Sequence, residues 1–273
     1  MVKATACAGR AAGLCCAAMA THHAEENGAG RGLLKTALDA ALNFVYPPVC
    51  QLCGEERAGA GEGYVGCGCW TRVRFVTPPF CDRCGLPYDG DMNHAFRCEN
   101  CAGEKFGFRF ARSAVTANAM MLDVIHRYKY HQALWFEPFL ADLLARQAKA
   151  ALAGAGWDLI VPVPLHPVKL RERQFNQAER LARCLGRALG LPVNGGVVRR
   201  VQFTETQTRL SRSERAANVS GAFAPAGGKE LDGERVILVD DVMTTGATTS
   251  ACARALRKAG AGDVCVWTVA RGT

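Results

Sequence analysis

Apolar and polar positions along the chain follow two periods. Residues 33–46 carry Leu34, Leu38, Ala41, Leu42 and Val45 at helical spacing, and Pro47 and Pro48 stop that helix. Residues 108–117 read as a strand, and residues 119–152 as two helical stretches parted near Trp135 and Pro138. From Trp157 the pattern alternates. A buried strand over 158–164 (DLIVPVP) precedes an amphipathic helix over 176–190, with Asn176 as N-cap and Gly190 as its stop before Pro192. Residues 199–221 are polar, rich in Arg and Thr, and lack a clear period. A buried strand over 235–239, a helix over 248–259 ending at Gly260 and a strand over 263–270 complete the series. Strand–helix–strand alternation predicts an α/β fold, a parallel sheet flanked by helices.

Composition sets the bounds. The 273 residues are 49% hydrophobic and 21% charged, which fits a folded chain with a core of its own rather than a disordered one. No apolar stretch is long enough to span a bilayer, so membrane insertion is not expected. The net charge of +8 suits anionic partners such as phosphate, pyrophosphate or nucleic acid, and equally suits ordinary solubility. Residues 1–30 are rich in Ala and Gly; a secretory signal would have Lys3 and Arg10 as its basic part, but no Leu/Val-rich run follows. A disordered extension, or a start nearer Met19, is expected there, together with a reducing, cytoplasmic location.

The 14 cysteines are unevenly spread, and eight of them lie between Cys50 and Cys101. They form an internal repeat. Cys50-x2-Cys53-Gly54 is separated from Cys67 by the same distance that separates Cys81-x2-Cys84-Gly85 from Cys98, an offset of 31 positions. The fourth member breaks the repeat: Cys67-x-Cys69 against Cys98-x2-Cys101. A CxxC turn sets two thiolates on one side of a tight knuckle, and two knuckles give four sulfurs suited to tetrahedral zinc. Two structural zinc sites are expected: Cys50, Cys53, Cys67 and Cys69, then Cys81, Cys84, Cys98 and Cys101. The shortened Cys67/Cys69 spacing leaves the first site strained or vacant, and pairing across the two copies is open. Four cysteine ligands leave no catalytic position. Disulfides in a secreted domain are the competing reading.

The segment Val236–Ser250 (VILVDDVMTTGATTS) carries the other chemistry. A buried strand delivers Asp240 and Asp241 to its carboxyl end, and Thr244, Thr245, Gly246, Ala247 and Thr248 lead into a helix. Small residues admit a phosphate close to backbone N–H groups, hydroxyls add donors, and the helix N-terminus adds its dipole. The acids suit sugar hydroxyls or a metal ion. The loop lacks both the GK[ST] ending of a Walker loop and the GxGxxG fingerprint. A receiver-like phosphoacceptor site also clusters aspartates, but leaves the threonines unexplained.

VILVDDVMTTGATTSACARALRKAGA resembles the phosphoribosyl-pyrophosphate signature of type I phosphoribosyltransferases. Double cysteine ribbons, then VPVPLHPVKLRERQFNQAERLA, TQTRLSRSERAANVSGAF and VDDVMTTGAT, are similar in kind and order to the ComF family of competence-type proteins over about residues 33–271. The resemblance implies a type I phosphoribosyltransferase-like sheet preceded by a small double zinc ribbon. It implies that Asp240 and Asp241 hold ribose hydroxyls, with magnesium brought by the substrate, and that Thr244–Thr248 cradle the ribose phosphate. Arg171 and Arg173 would lie near pyrophosphate, in the loop after the VPVP strand. Lys129 with Tyr130 matches a family pair, and Gln207, Arg215 and Asn218 match a mobile hood. Gln174 departs from the family's Gly, and a positive φ there costs about 1 kcal/mol.

The expected organisation is an extension over 1–32, a helix plus double ribbon over 33–106, and a phosphoribosyltransferase-like domain over 107–273. Two functions compete. One is binding, and transfer from, phosphoribosyl pyrophosphate or a related ribose phosphate, linked to DNA uptake. The other is a non-catalytic protein of the same fold that handles single-stranded DNA or serves as a scaffold for uptake proteins. The basic stretch Arg199–Arg215 fits either a lid or a strip for single strands, though Phe203 is its one aromatic residue.

Overall fold

The computed structural model describes residues 48–92, 94–203, 219, 221–227 and 230–272. The helix expected over 33–46, the segment 1–32, and Gln207, Arg215 and Asn218 lie outside the described residues. The chain divides into two compact units, Met1–Val73 and Arg74–Thr273. The division falls between the two cysteine groups, which the sequence pattern had joined over 33–106.

In the first unit, Gly54 N donates to Cys50 O at 2.8 Å, closing the first knuckle, and Gly54 takes a φ of 75°. Helix α1 (Cys67–Trp70) follows. Glu56 Oε2 accepts a hydrogen bond from Gly68 N at 2.8 Å.

The second unit holds a four-stranded parallel sheet, ordered β1-β6-β5-β2. Its strands are β1 (Phe110–Thr116), β2 (Leu159–Pro162), β5 (Arg235–Met243) and β6 (Asp263–Arg271). A separate antiparallel ribbon pairs β3 (Val198–Arg200) with β4 (Phe223–Pro225). The helices are α2 (Ala119–Tyr130), α3 (Glu137–Leu152), α4 (Pro167–Arg173), α5 (Gln177–Leu189) and α6 (Ala247–Lys258). The expected α/β fold with a parallel sheet is therefore observed.

Both sheet faces are covered, which is why the central strands are nearly all apolar. On one face, α3 packs on β1 and β6, and α5 on β5 and β2. On the other, Val236 and Leu238 of β5 and Val264 and Val266 of β6 share a buried cluster with Ala251, Cys252, Ala255 and Leu256 of α6. That cluster also takes in Cys81, Cys84 and Cys101, so the second cysteine group is part of the sheet's own core. Helix α5 begins as its sequence requires: the Asn176 side chain accepts from Ala178 N, and Gly190 ends the helix with a φ of 68°.

Two elements differ from the sequence expectation. Arg171 and Arg173 lie in the last turn of α4, a helix opened by Pro167, and not in a loop. Strand β5 continues to Met243, so the aspartates lie within the strand rather than beyond it.

Candidate functional site

The first question is how β5 presents its acids. Successive strand residues point to opposite faces. Leu238 lies on the α6 face, and Asp240 keeps its parity; Asp241 takes the other face. The contacts agree. Asp241 Oδ2 lies 2.5 Å from Lys129 Nζ of α2. Asp240 is within electrostatic reach of the same Lys129, and of Arg200 on β3, Arg173 on α4 and Cys252 on α6. Asp240 and Asp241 are both buried, with 9% and 3% of their surface exposed.

Burial dominates the electrostatics. It raises Asp240 to about 6, against the opposing pull of Lys129, Arg200 and Arg173. It lowers Lys129 to about 8, with Asp240 pulling the other way. Arg200 is also lowered, chiefly by burial, and Cys252 is pushed well up by burial and by Asp240. Asp241 Oδ2, despite the nearby ammonium, has no aligned hydrogen-bond partner, and Arg173 Nε is likewise buried without one. A buried carboxylate oxygen paired with the Lys129 ammonium keeps acceptor capacity for a divalent cation or a sugar hydroxyl, so the residues present are compatible with magnesium.

Thr244–Thr248 join β5 to α6. Gly246 sits at the N-cap of α6 with a φ of 78°, and a Cβ there would lie 2.7 Å from Met243 Cε. Only glycine takes this conformation without strain. Ala247 N donates to Thr245 Oγ1 at 3.4 Å, and Thr249 Oγ1 donates to Gly246 O at 3.1 Å. Thr244 is exposed, while Thr245, Ala247 and Thr248 are half-buried. The first turn of α6 thus opens beside the aspartates with its leading N–H groups unused by the helix, the arrangement that attracts anions.

The structure brings Lys129 and Arg173 to the acid pair. Arg173 stacks over Tyr130 at 4.7 Å and donates to Tyr130 Oη at 3.1 Å, so the Lys129–Tyr130 pair and Arg173 form one wall. Arg171 is exposed and takes no part in these shifts. Gln174 has a φ of 65°, a left-handed value that strains a residue bearing a side chain. Arg200 belongs to the site and was assigned to the polar stretch by sequence; the short ribbon that carries it has no periodic signal.

The second cysteine group has the geometry of a metal centre. Its sulfurs lie 3.7 Å apart for Cys81 and Cys101, 3.6 Å for Cys84 and Cys98, and 3.7 Å for Cys98 and Cys101. A zinc tetrahedron with bonds of about 2.3 Å has edges of about 3.8 Å. All four are free thiols. Cys98 caps the turn Glu99–Cys101, which carries Cys101 back to the same side. The first group behaves differently. Cys50, Cys53 and Cys69 have their sulfurs within 4.8 Å of one another, and Cys67 falls outside that set. Both Cys67 and Cys69 lie in α1, where residues two apart face opposite sides. Cys69 is buried toward the knuckle and Cys67 is exposed. His94 is exposed and joins neither set.

Two family models match, a double zinc ribbon domain over residues 41–102 and a phosphoribosyl transferase domain over residues 180–272. Competence protein F of Haemophilus influenzae is 39% identical over 152 residues, 54% of this chain and 66% of that protein. The chain belongs to the ComF family. Among ComF relatives, competence protein ComFC of Bacillus subtilis is 32% identical over 55% of this chain and 58% of its own length. The chain thus spans less than two thirds of the length of these curated relatives. Among solved structures, the purine phosphoribosyltransferase of Pyrococcus horikoshii is 18% identical, covering 50% of this chain and 83% of that one with a TM-score of 0.32. No helix among the described residues of this ComF chain is long and apolar enough to cross a membrane.

Proposed function

We propose that this ComF-family chain binds phosphoribosyl pyrophosphate, or a closely related ribose phosphate, between the acid pair and the Thr244–Thr248 loop. The observation that carries this reading is the juxtaposition of two buried aspartates, three cations and an open helix N-terminus at one sheet edge. The loop would take the 5-phosphate through backbone N–H groups and the threonine hydroxyls. Asp240 and Asp241 would take the ribose hydroxyls, and a magnesium ion brought with the substrate would screen the pyrophosphate charge. Lys129, Arg173 and Arg200 supply fixed positive charge for the same anion.

On this reading the reaction is displacement at the anomeric carbon: a nucleophile bonds to C1 as the C1–pyrophosphate bond breaks. Among the described residues of the site none is assigned as a general base, and the chain contributes binding, orientation and charge neutralisation. Structural zinc belongs to Cys81, Cys84, Cys98 and Cys101, and a second ion to the Cys50 group. A thiolate site of this kind fits a reducing, cytoplasmic setting.

The test is calorimetric titration of phosphoribosyl pyrophosphate with magnesium. The wild type should bind, and Asp240→Asn combined with Asp241→Asn should abolish binding. A second reading draws on the printed names of relatives, which include the DNA utilization protein YhgH of Escherichia coli, 33% identical to this chain. In that reading the chain handles imported single strands, using the exposed Val201 and Phe203 beside Arg199 and Lys169. Oligonucleotide binding that falls steeply with salt and survives the double aspartate change would favour it.

A further inference from the structure

Arg271 ends β6 and is buried, with 3% of its surface exposed. Its guanidinium reaches in two directions. Toward β5 and the phosphate loop, Nη1 donates to Met243 O at 3.1 Å and to Thr244 O at 2.6 Å, and also contacts Gly272 O. Toward the second cysteine group, Nε donates to Cys84 O at 3.2 Å and Nη2 lies 3.6 Å from Cys84 Sγ. One rigid planar group thus holds the entry of the phosphate loop and a ligand sulfur of the cysteine site.

The charge balance points the same way. Among the described residues, Arg271 pairs with no carboxylate; its acceptors are carbonyls and one sulfur. A buried cation without an anion is costly. Four thiolates around one divalent ion carry net negative charge, and Cys84 presents that charge to the guanidinium. Protonated, metal-free cysteines would withdraw that charge. The mounting is tight at both ends. A Cβ on Gly85 would lie 2.7 Å from Ala111 O, and one on Gly272 would lie 2.8 Å from Thr244 Cγ2. Ala111 N also donates to Arg83 O at 2.8 Å, and Arg83 donates to Arg109 O at 2.6 Å. The knuckle is therefore fastened to β1 and has little freedom to shift alone.

We propose that Arg271 is a positioning residue that couples the Cys81–Cys84–Cys98–Cys101 metal site to the phosphate loop, so that metal occupancy and ribose-phosphate affinity rise and fall together. This rests on the reading of Thr244–Thr248 as a ribose-phosphate cradle. Coupling of this kind is reciprocal: bound ligand must tighten the metal by the factor by which metal tightens the ligand.

The test uses the full-length, zinc-loaded protein with ribose 5-phosphate as probe. Iodoacetamide labelling in the presence of a chelator is read cysteine by cysteine by peptide mass spectrometry, and calorimetry gives the Kd. In the wild type, saturating ribose 5-phosphate should slow labelling of Cys81, Cys84, Cys98 and Cys101 by about tenfold and leave Cys50, Cys53 and Cys69 unchanged. Arg271→Gln should speed labelling of the second group, weaken ribose 5-phosphate binding by about tenfold, and lose the protection. Cys252 and Cys265 are buried in the core and report unfolding; if they label, Arg271→Lys, which keeps the charge, is read instead and should show intermediate coupling. A wild type that binds ribose 5-phosphate without protecting the second group overturns the coupling and leaves the cradle standing. So does an Arg271→Gln variant that weakens binding with labelling and protection intact. A wild type that binds no ribose 5-phosphate overturns both.

Discussion

Replacing Asp240 by Asn should stabilise the ligand-free protein at neutral pH even as it removes ligand binding. Burial raises this carboxyl to about 6 from an ordinary 3.8. The gap of about two units corresponds to about 3 kcal/mol. The sign follows from proton counting. Between about pH 4 and pH 6 the folded protein holds a proton that the unfolded chain has released, so stability falls as pH rises through that window. Above about pH 6 the penalty is present in full. Asn keeps the shape without the charge and should recover up to about 3 kcal/mol at pH 7, about 6–12 °C in Tm for a domain of this size. Urea unfolding of both proteins with zinc present, from about pH 4.5 to about pH 7.5, reads the effect. The difference between variants should grow from about 1 kcal/mol at the acid end to about 3 kcal/mol at the neutral end, and protonation of the cysteine sites cancels in that difference. A variant less stable than the wild type at pH 7, or a difference that ignores pH, would refute the argument that Asp240 is held ionised for a ligand at the expense of the fold.

The same carboxyl should govern binding: affinity for phosphoribosyl pyrophosphate with magnesium should fall below about pH 6, by up to about tenfold per unit, as calorimetry across pH would record. Gln174→Gly should stabilise the protein by about 0.5–1 kcal/mol in urea unfolding, because Gln174 holds a φ of 65°. Gly85→Ala should destabilise by about 1–3 kcal/mol and hasten zinc loss to a chelator, since Gly85 has a φ of 66° and its Cβ would strike Ala111 O. Cys67→Ser should leave metal retention by the first group nearly unchanged while Cys69→Ser lowers it, measured as bound zinc, because Cys67 lies outside the cluster of sulfurs.

The α/β fold was legible because its signals are local. Buried strands flanked by helical periods set the element order, Asn176 and Gly190 marked the ends of α5 by their own capping chemistry, and the strand–Asp–Asp–Thr-rich run kept the candidate phosphate loop within one continuous segment. The cysteine repeat likewise displayed its ligand types and spacing. Tertiary structure decided what depends on direction in space. Within α1, Cys69 joins the sulfurs of Cys50 and Cys53 while Cys67 falls outside that set, although the two differ by only two positions. The parity of β5 sent Asp240 and Asp241 to opposite faces, with Lys129 acting on both and Arg200 and Arg173 on Asp240. Arg200 and Arg271 acquired their places only when chain segments far apart in sequence were packed together, Arg271 reaching Cys84 across 187 positions. A pattern along the chain records which side chains are buried and how often; which of them meet is set by the closing of the sheet, and that information is held in no single segment.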